Sequence, residues 1–188
     1  MNSQFKFIEL PLAGLFRVER VSIEDKRGFF SRFFCADEFK KIGLDGPLAQ
    51  INHTLTKRKG VVRGMHFQYP PYAEAKIVGC IHGQVFDVAV DIRKSSKTFL
   101  QWHGEVLTDK NQTSLYIPEG FAHGFQTLTE DCQLIYLHSD FYSPNAEGAL
   151  NACDSALAID WPLEITETSD RDCHHPMLDS RFEGLSIL

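Results

Sequence analysis

Three polar residues in the middle of the chain have side chains suited to moving a proton at a carbon next to a ketone. His66 lies in GVVRGMHFQYPP, Lys76 follows on the next predicted strand, and Tyr136 lies in the strand CQLIYLHSD. Such chemistry needs a base tuned near neutral pH, a cation or donor for the enolate oxygen, and an acid to return a proton. Imidazole, ammonium and phenol supply these roles, and a base and an acid on opposite faces of the carbon would invert it.

Simpler structural explanations exist for the same residues. A lone histidine in an apolar strand is more often a hydrogen-bonded interior residue, a lone lysine lies more often at the surface, and a lone tyrosine more often packs in the core. A histidine base works best when a carboxylate fixes its tautomer, but several acids could serve and spacing alone does not choose one. The residues alone favour a solvated loop or a helix cap for SDRD, residues 169–172.

A metal centre is an alternative use for the histidines. The segments that contain His66 and His123 resemble the layout of cupin barrels, where two or three imidazoles and a carboxylate from neighbouring strands hold a metal. Metal-binding barrels of this type normally have a second histidine where this chain has Gln68. The sequence therefore favours no metal, although His66, His123 and Glu74 could still converge on one.

Short β-strands dominate the predicted secondary structure. Runs such as KIVGCI, QWHGEVL, TSLYI and CQLIYL are separated by Gly, Asp, Asn or Pro. In QVFDVAVDI, Phe86, Val88 and Val90 share one face while Asp87 and Asp91 interrupt the other, close to a two-residue period. Many short strands with turn residues between them predict an all-β sandwich or barrel, of which the jelly roll is one form.

The chain is predicted to form a single domain over residues 1–188, with only a few short helices. It has 43% hydrophobic content, no internal repeat and no linker-like stretch. The clearest helical signal is CADEFKKIGL, where acidic residues come first, lysines follow and Gly43 ends the pattern. Five scattered cysteines without a CxxC pair predict small buried residues rather than a disulfide framework.

Charge and hydropathy limit the classes of molecule that the protein is expected to bind. The formal net charge is -6, from 19 basic and 25 acidic residues spread along the chain, so no basic face for nucleic acid is expected. The start MNSQFKFIEL lacks the pattern of a signal peptide, and no apolar run approaches the length that spans a bilayer. The sequence predicts a soluble cytoplasmic protein that binds neither nucleic acid nor membrane.

An ordered series of motifs resembles one known family. RGFF, QINHT, KGVVRGMHFQ, VFDVAVDIR, YIPEGFAHGF, DFYSP and AIDWP occur in the same order in the dTDP-4-dehydrorhamnose 3,5-epimerases, and the resemblance covers nearly the whole chain. These enzymes are sugar-nucleotide epimerases with a jelly-roll, cupin-like fold. The resemblance implies that fold and the epimerisation of a 4-keto-6-deoxyhexose carried on a nucleoside diphosphate, in the biosynthesis of O-antigen or another surface polysaccharide.

The resemblance also assigns catalytic roles. His66 is expected to be the base, Asp172 its carboxylate partner, and Tyr136 the acid on the opposite face. Lys76 is expected near the enolate oxygen, and His123 is expected to line the same pocket. No metal and no other cofactor is implied.

The nucleotide end of the substrate is expected to lie against arginines that hold phosphate oxygens, amides that make neutral contacts, and aromatic rings that sandwich the base. Members of the family usually form dimers that share a strand across the sites, so a homodimer is expected, with one of the two rings supplied by the partner subunit. The residues implied are Arg27 and Arg63 for the phosphates, Gln50 and Asn52 for the neutral contacts, and Tyr142 with Phe30 from a partner subunit for the base.

One position departs from the family pattern. After RGFF the family typically carries a glutamate, a plausible acceptor for the N3 hydrogen of thymine, and this chain has Arg32 there. Cytosine presents acceptors at N3 and O2, which an arginine would suit. The departure makes a CDP-linked substrate an alternative to a dTDP-linked one, unless Arg32 points to solvent.

The leading hypothesis is thus a cofactor-free epimerase acting at C3, and possibly C5, of a dTDP- or CDP-linked 4-keto-6-deoxyhexose. The alternatives are a metal-dependent cupin oxygenase or isomerase, and a non-catalytic barrel that binds sugar nucleotides. The catalytic residues are compatible with inversion at C3, at C5 or at both.

Overall fold

The computed structural model describes residues 3–187 and consists mainly of antiparallel β-strands. Two short α-helices, α1 (Ala36–Phe39) and α2 (Asp170–Cys173), and two 3₁₀ turns, Lys40–Ile42 and Pro144–Ala146, complete the regular structure of this part of the chain. The strands are β1 (Phe5–Glu9), β2 (Phe16–Arg20), β3 (Ser22–Asp25), β4 (Gly28–Ser31), β5 (Gln50–Thr56), β6 (Val62–Gln68), β7 (Lys76–His82), β8 (Gln84–Asp91), β9 (Trp102–Thr108), β10 (Thr113–Ile117), β11 (Phe121–Thr127), β12 (Cys132–His138) and β13 (Glu147–Ala149).

The strands form two large sheets and one separate hairpin. The first sheet has the order β1-β2-β10-β7-β12-β5, and the second has the order β13-β6-β11-β8-β9. Strands β3 and β4 pair only with each other. This confirms the predicted all-β class with few short helices. None of the helices within residues 3–187 has the length and apolar composition needed to cross a bilayer.

Three apolar clusters explain why these strands are stable. The first lies between the two sheets and includes Leu115, Phe125 and Leu134. The second covers the other face of the β6–β11–β8 sheet with side chains from the C-terminal third of the chain, and the third covers the outer face of the first sheet with N-terminal aromatic residues. Burying these apolar surfaces is the main favourable term for folding.

Strand β8 differs from its sequence prediction because both of its faces are buried. Val85 and Ala89 join the cluster between the sheets, while Val88 and Val90 join the cluster on the opposite face. The aspartates that were expected to mark a polar side are inside as well: Asp91 accepts hydrogen bonds from Arg93 at 2.7 and 2.9 Å.

The predicted helix is confirmed as α1 followed by a 3₁₀ turn, and Gly43 ends it in the left-handed region with φ 95°. All five cysteines are free. Cys80 and Cys132 are buried as predicted and Cys35 is half-buried. The prediction is wrong for Cys153 and Cys173, which are exposed because they lie in the irregular C-terminal segment and at the end of α2.

Candidate active site

A cavity of about 230 Å³ opens between the two sheets and is lined by both of them. Strands β6 and β11 supply one wall, and strands β5, β7 and β12 supply the facing wall. Most of the side chains that the sequence proposed for catalysis or substrate binding meet here. Those lining the cavity are Asn52, Arg63, His66, Lys76, His123, Tyr136 and Tyr142.

His66 and Asp172 form a hydrogen-bonded pair although 106 residues separate them in sequence. The His66 Nε2 atom lies 2.8 Å from Asp172 Oδ1. A buried carboxylate at this nitrogen favours the tautomer that carries the proton on Nε2, so Nδ1 keeps its lone pair. The pair therefore has the geometry of a base with an orienting acid.

Helix α2 holds Asp172 in place. The Ser169 side chain caps the helix by accepting a hydrogen bond from the Asp172 backbone N–H at 3.1 Å. The helix-cap interpretation of SDRD is therefore correct, and the same turn delivers a carboxylate to His66. Burial opposes ionisation of Asp172, but the hydrogen bonds from His66 and from the Gly64 N–H outweigh it and hold its pKa below the ordinary value.

Two glycines bring the strands behind His66 into close contact. A Cβ on Gly64 would lie 2.5 Å from the Gly124 Cα atom, so only glycine fits at this crossing. Gly64 also has φ 126°, which other residues rarely adopt. The crossing sets His66 directly opposite His123 in the β6–β11 pairing.

Tyr136 faces the same cavity from strand β12. Its ring meets the His123 ring edge-on with 5.9 Å between the centroids. Burial raises the pKa of Tyr136, and the nearby Asp87 carboxylate acts in the same direction. The phenol is thus held protonated at neutral pH, as an acid requires. Asp87 itself hydrogen-bonds His123 Nε2 at 2.9 Å.

Lys76 begins strand β7 and places its ammonium group inside the cavity. Its side chain is only 9% exposed, and Nζ lies 3.2 Å from Glu74 Oε1. The same nitrogen is 3.5 Å from the His66 carbonyl oxygen. A buried ammonium with one carboxylate partner retains donors for a further acceptor, because it has three N–H groups.

A polar network surrounds Tyr142, which lines the cavity. The Gln50 side chain lies outside the cavity lining but accepts a hydrogen bond from the Tyr142 N–H at 2.9 Å. The Tyr142 hydroxyl donates to Glu147 Oε2 at 2.9 Å, and Arg171 pairs with the same carboxylate at 2.9 Å. Arg171 also comes within 3.3 Å of His66 Nε2, so α2 contacts both the Tyr142 network and His66.

The β3–β4 hairpin and the residue that follows it carry three proposed residues, none of which lines this cavity. Arg27 is exposed and pairs with Asp25 at 2.5 Å. Phe30 is 68% exposed, and Arg32 lies 3.6 Å from Glu38 of helix α1. Their substrate-binding roles remain predictions.

Comparison with known proteins agrees with the acid–base geometry of the cavity. A family model described as dTDP-4-dehydrorhamnose 3,5-epimerase matches residues 9–180. The dTDP-4-dehydrorhamnose 3,5-epimerase of Salmonella typhimurium is 46% identical over 157 residues, covering 82% of this chain and 85% of that protein. The chain belongs to the dTDP-4-dehydrorhamnose 3,5-epimerase family.

Solved structures agree with membership of the dTDP-4-dehydrorhamnose 3,5-epimerase family. The Legionella pneumophila dTDP-6-deoxy-D-glucose-3,5-epimerase in complex with dTDP-4-keto-L-rhamnose has a TM-score of 0.91 and 35% identity, covering 98% of this chain and 99% of that one. A 3'-monoepimerase from Streptomyces bikiniensis in complex with dTDP-quinovose has a TM-score of 0.83 and 35% identity, covering 89% and 85%. The predicted resemblance, the cupin-like fold and the isomerase class are confirmed.

Within the family fold, the three side chains proposed as a metal set have separate partners. His66 contacts Asp172, His123 contacts Asp87, and Glu74 contacts Lys76. Among residues 3–187, no group of three or more histidine, cysteine or acidic side chains is arranged to hold a metal ion. Family membership selects the epimerase over the oxygenase and over the non-catalytic barrel.

Sequence analysis missed several residues of the site. Glu74 was considered only as a metal ligand, and Asp87 only as a break in a strand pattern. His138, Glu147 and Arg171 were not considered. Glu147 begins β13 and Arg171 lies in the SDRD motif, and neither motif has a spacing that indicates these contacts; His66, which Arg171 approaches, is 105 residues away.

We expect the Asp172→Asn variant to lose about 1–3 kcal/mol of unfolding free energy at pH 7, because a charged acceptor of buried hydrogen bonds is removed. The folded-state pKa of Asp172 lies below its unfolded value, so this stabilisation is present above the unfolded pKa and disappears as pH falls through the folded one. Urea denaturation between pH 7 and about pH 3 would show the difference shrinking with acidity. Asp170→Asn, on the exposed side of the same helix, is the control. A loss of stability in Asp172→Asn that does not change with pH would contradict stabilisation by the ionised Asp172 carboxylate.

Proposed function

We propose that this protein inverts C3 and C5 of a dTDP-linked 4-keto-6-deoxyhexose by proton transfer through an enolate. The observation that carries the proposal is the placement of the His66–Asp172 pair and of Tyr136 on opposing sheets around one cavity, with the Lys76 ammonium in the same wall as Tyr136. Relatives in complex with dTDP-linked sugars support the substrate class. A cytoplasmic location is part of the same proposal.

In the first step His66 Nδ1 takes the proton from the carbon next to the ketone, and the electron pair of that C–H bond moves into the enolate. The Asp172 carboxylate stabilises the imidazolium that forms. The Lys76 ammonium donates to the enolate oxygen at C4, where the negative charge develops. C3 and C5 both flank C4, so the same groups serve either carbon.

In the second step Tyr136 donates its phenolic proton to the opposite face of the enolate carbon. Protonation from that face inverts the centre, since the base and the acid approach from different sheets. The raised pKa of Tyr136 keeps the proton available until the carbanion forms. His66 then loses a proton to solvent and Tyr136 regains one, which closes the cycle.

Deuterium exchange in heavy water tests these roles. We expect the protein to incorporate deuterium at C3 and C5 of the dTDP-linked substrate, and His66→Ala to abolish incorporation. Tyr136→Phe should slow inversion by about a hundredfold or more while some exchange survives, because the base remains. Mass spectrometry and NMR of the product give the rate of deuterium incorporation and the rate of inversion.

The controls are His82→Ala, at an exposed histidine, and Tyr116→Phe, at a buried tyrosine outside the cavity. Full inversion by Tyr136→Phe would contradict the acid, and absence of exchange by the unmodified protein would contradict the reaction. Label at C3 alone would instead make this chain a 3-epimerase, like the Streptomyces bikiniensis relative.

Thymine is the proposed base because the Arg32 guanidinium lies 3.6 Å from Glu38 of its own chain. An arginine paired in this way is not expected to contact a cytosine base. We expect calorimetry to give dTDP about tenfold tighter binding than CDP, roughly 1.4 kcal/mol. Arg32→Glu and Arg32→Gln should keep that order. A preference for CDP that reverses in Arg32→Glu would contradict this and place Arg32 at the base.

A homodimer is proposed to complete the nucleotide site with Phe30. The hairpin that carries this residue pairs with neither large sheet, and Phe29 and Phe30 are 58% and 68% exposed. We expect Phe30→Ala to weaken dTDP binding by about 1–3 kcal/mol, the usual value of one base stack. Met177→Ala, at another exposed apolar residue, is the control. A protein that is monomeric by analytical ultracentrifugation and binds dTDP equally well without Phe30 would contradict the shared site.

A further inference from the structure

Besides the His66–Asp172 and His123–Asp87 pairs, a third buried histidine–carboxylate pair lies in the cavity wall, and the reaction described above does not use it. Glu74 Oε2 lies 3.0 Å from His138 Nδ1, and Glu74 Oε1 lies 3.2 Å from Lys76 Nζ. The side chains of Glu74 and His138 are 7% and 10% exposed. One carboxylate therefore bridges a histidine and the lysine proposed to hold the enolate.

The register of the first sheet makes this bridge possible. Strand β12 lies between β7 and β5, and His138 stands opposite Lys76 while Tyr136 stands opposite Asn52. The His138 Nε2 atom is 3.4 Å from Asn52 Nδ2. The His138 ring is nearly parallel to the Tyr136 ring, with an angle of 18° and 6.1 Å between centroids. The pair thus contacts residues on all three strands of this wall.

The Glu74 carboxylate accepts from two donors, Lys76 and His138. Burial alone would raise the pKa of Glu74. The hydrogen bond from His138 and the charge of Lys76 outweigh burial, so the pKa of Glu74 lies below the ordinary value. An ionised carboxylate has two acceptor oxygens, one for the Lys76 ammonium and one for His138 Nδ1–H. Without that carboxylate, Lys76 would be a buried cation lacking a counter-charge, which is unfavourable.

The tautomer of His138 follows from the same contacts. Because Nδ1–H donates to Glu74, Nε2 carries the lone pair and accepts from the Asn52 amide. His138 therefore limits Glu74 to one orientation, and Glu74 limits the Lys76 ammonium to one position at the cavity.

We propose that Glu74 and His138 are positioning residues, which fix the Lys76 ammonium where the enolate oxygen develops. The inference rests on the proposed function, since it takes Lys76 as the group that stabilises the enolate. Glu74 and His138 act through Lys76 and need not touch the substrate. A displacement of the ammonium by about 1 Å is enough to cost a large factor in rate.

Glu74→Gln is the decisive variant, because glutamine keeps the size of the side chain but offers one acceptor oxygen where two donors converge. We expect kcat to fall by about tenfold or more, with KM and the Kd for dTDP changed by less than about twofold. Glu74→Asp should recover part of kcat. His138→Leu should lower kcat more than His138→Asn, which retains a donor for Glu74.

Glu105→Gln is the matched control. Glu105 also bridges a histidine and a basic residue, His103 at 3.3 Å and Arg17 at 3.6 Å, but it lies outside the cavity. We expect its kcat to be unchanged. Thermal melting of all the variants identifies any loss of kcat that comes from unfolding.

A second measurement does not depend on turnover. In protein labelled with ¹⁵N-lysine, the Lys76 ammonium should give a signal that exchanges slowly with water and is identified by its loss in Lys76→Met. That signal should vanish in Glu74→Gln and persist in Glu105→Gln. Its persistence in Glu74→Gln would overturn the inference, as would an unchanged kcat or a loss seen only in KM. A different result would separate the two proposals. If the unmodified protein does not exchange deuterium but the ammonium signal behaves as expected, the proposed function and the catalytic purpose of the pair are overturned. Glu74 would then remain the group that fixes Lys76.

Discussion

A charged group inside a β-barrel is stable only when a partner of opposite charge or several hydrogen bonds surround it. Three buried carboxylates in and behind the cavity wall of this protein obey that constraint. Asp172 and Asp87 each contact a histidine, and Glu74 contacts a histidine and a lysine. The pairing that makes burial tolerable also fixes the tautomer of each ring. Stability of the fold and orientation of the acid–base groups therefore depend on the same bonds.

The fold was largely predictable because its signals are local. Short apolar strands separated by turn residues specify an all-β protein, and the acidic-to-basic order of residues 35–44 specifies the short helix. Strand β8 was misjudged because a period of two cannot reveal what covers the second face. Its aspartates share the face of Val85 and Ala89, which strands from distant parts of the chain cover and which the local pattern does not reveal.

The site was predictable in part, and mainly through the resemblance to a family. His66, Lys76 and Tyr136 were recognisable from their chemistry, whereas Asp172 was not, since the residues around it indicate a helix cap. The structure shows that a helix cap and a carboxylate that hydrogen-bonds a cavity histidine can share one turn. Glu74 and His138 carry no motif; their contact depends on the register between β7 and β12, which a sequence does not state. The substrate-binding roles of Arg27, Phe30 and Arg32 remain predictions, because the described chain does not bring their side chains to the cavity.

The crossing of Gly64 over Gly124 has a consequence for altering the enzyme's specificity. A side chain at either glycine would push two backbones apart, and His66 and His123 are carried on those backbones. That wall therefore admits little redesign without misaligning both imidazoles. The facing wall is built from side chains of β5, β7 and β12, and a residue there other than Lys76, Tyr136, Glu74 and His138 can change in size without moving the Gly64–Gly124 crossing. Laboratory evolution toward other sugars should accordingly accumulate its changes on one side of the cavity only.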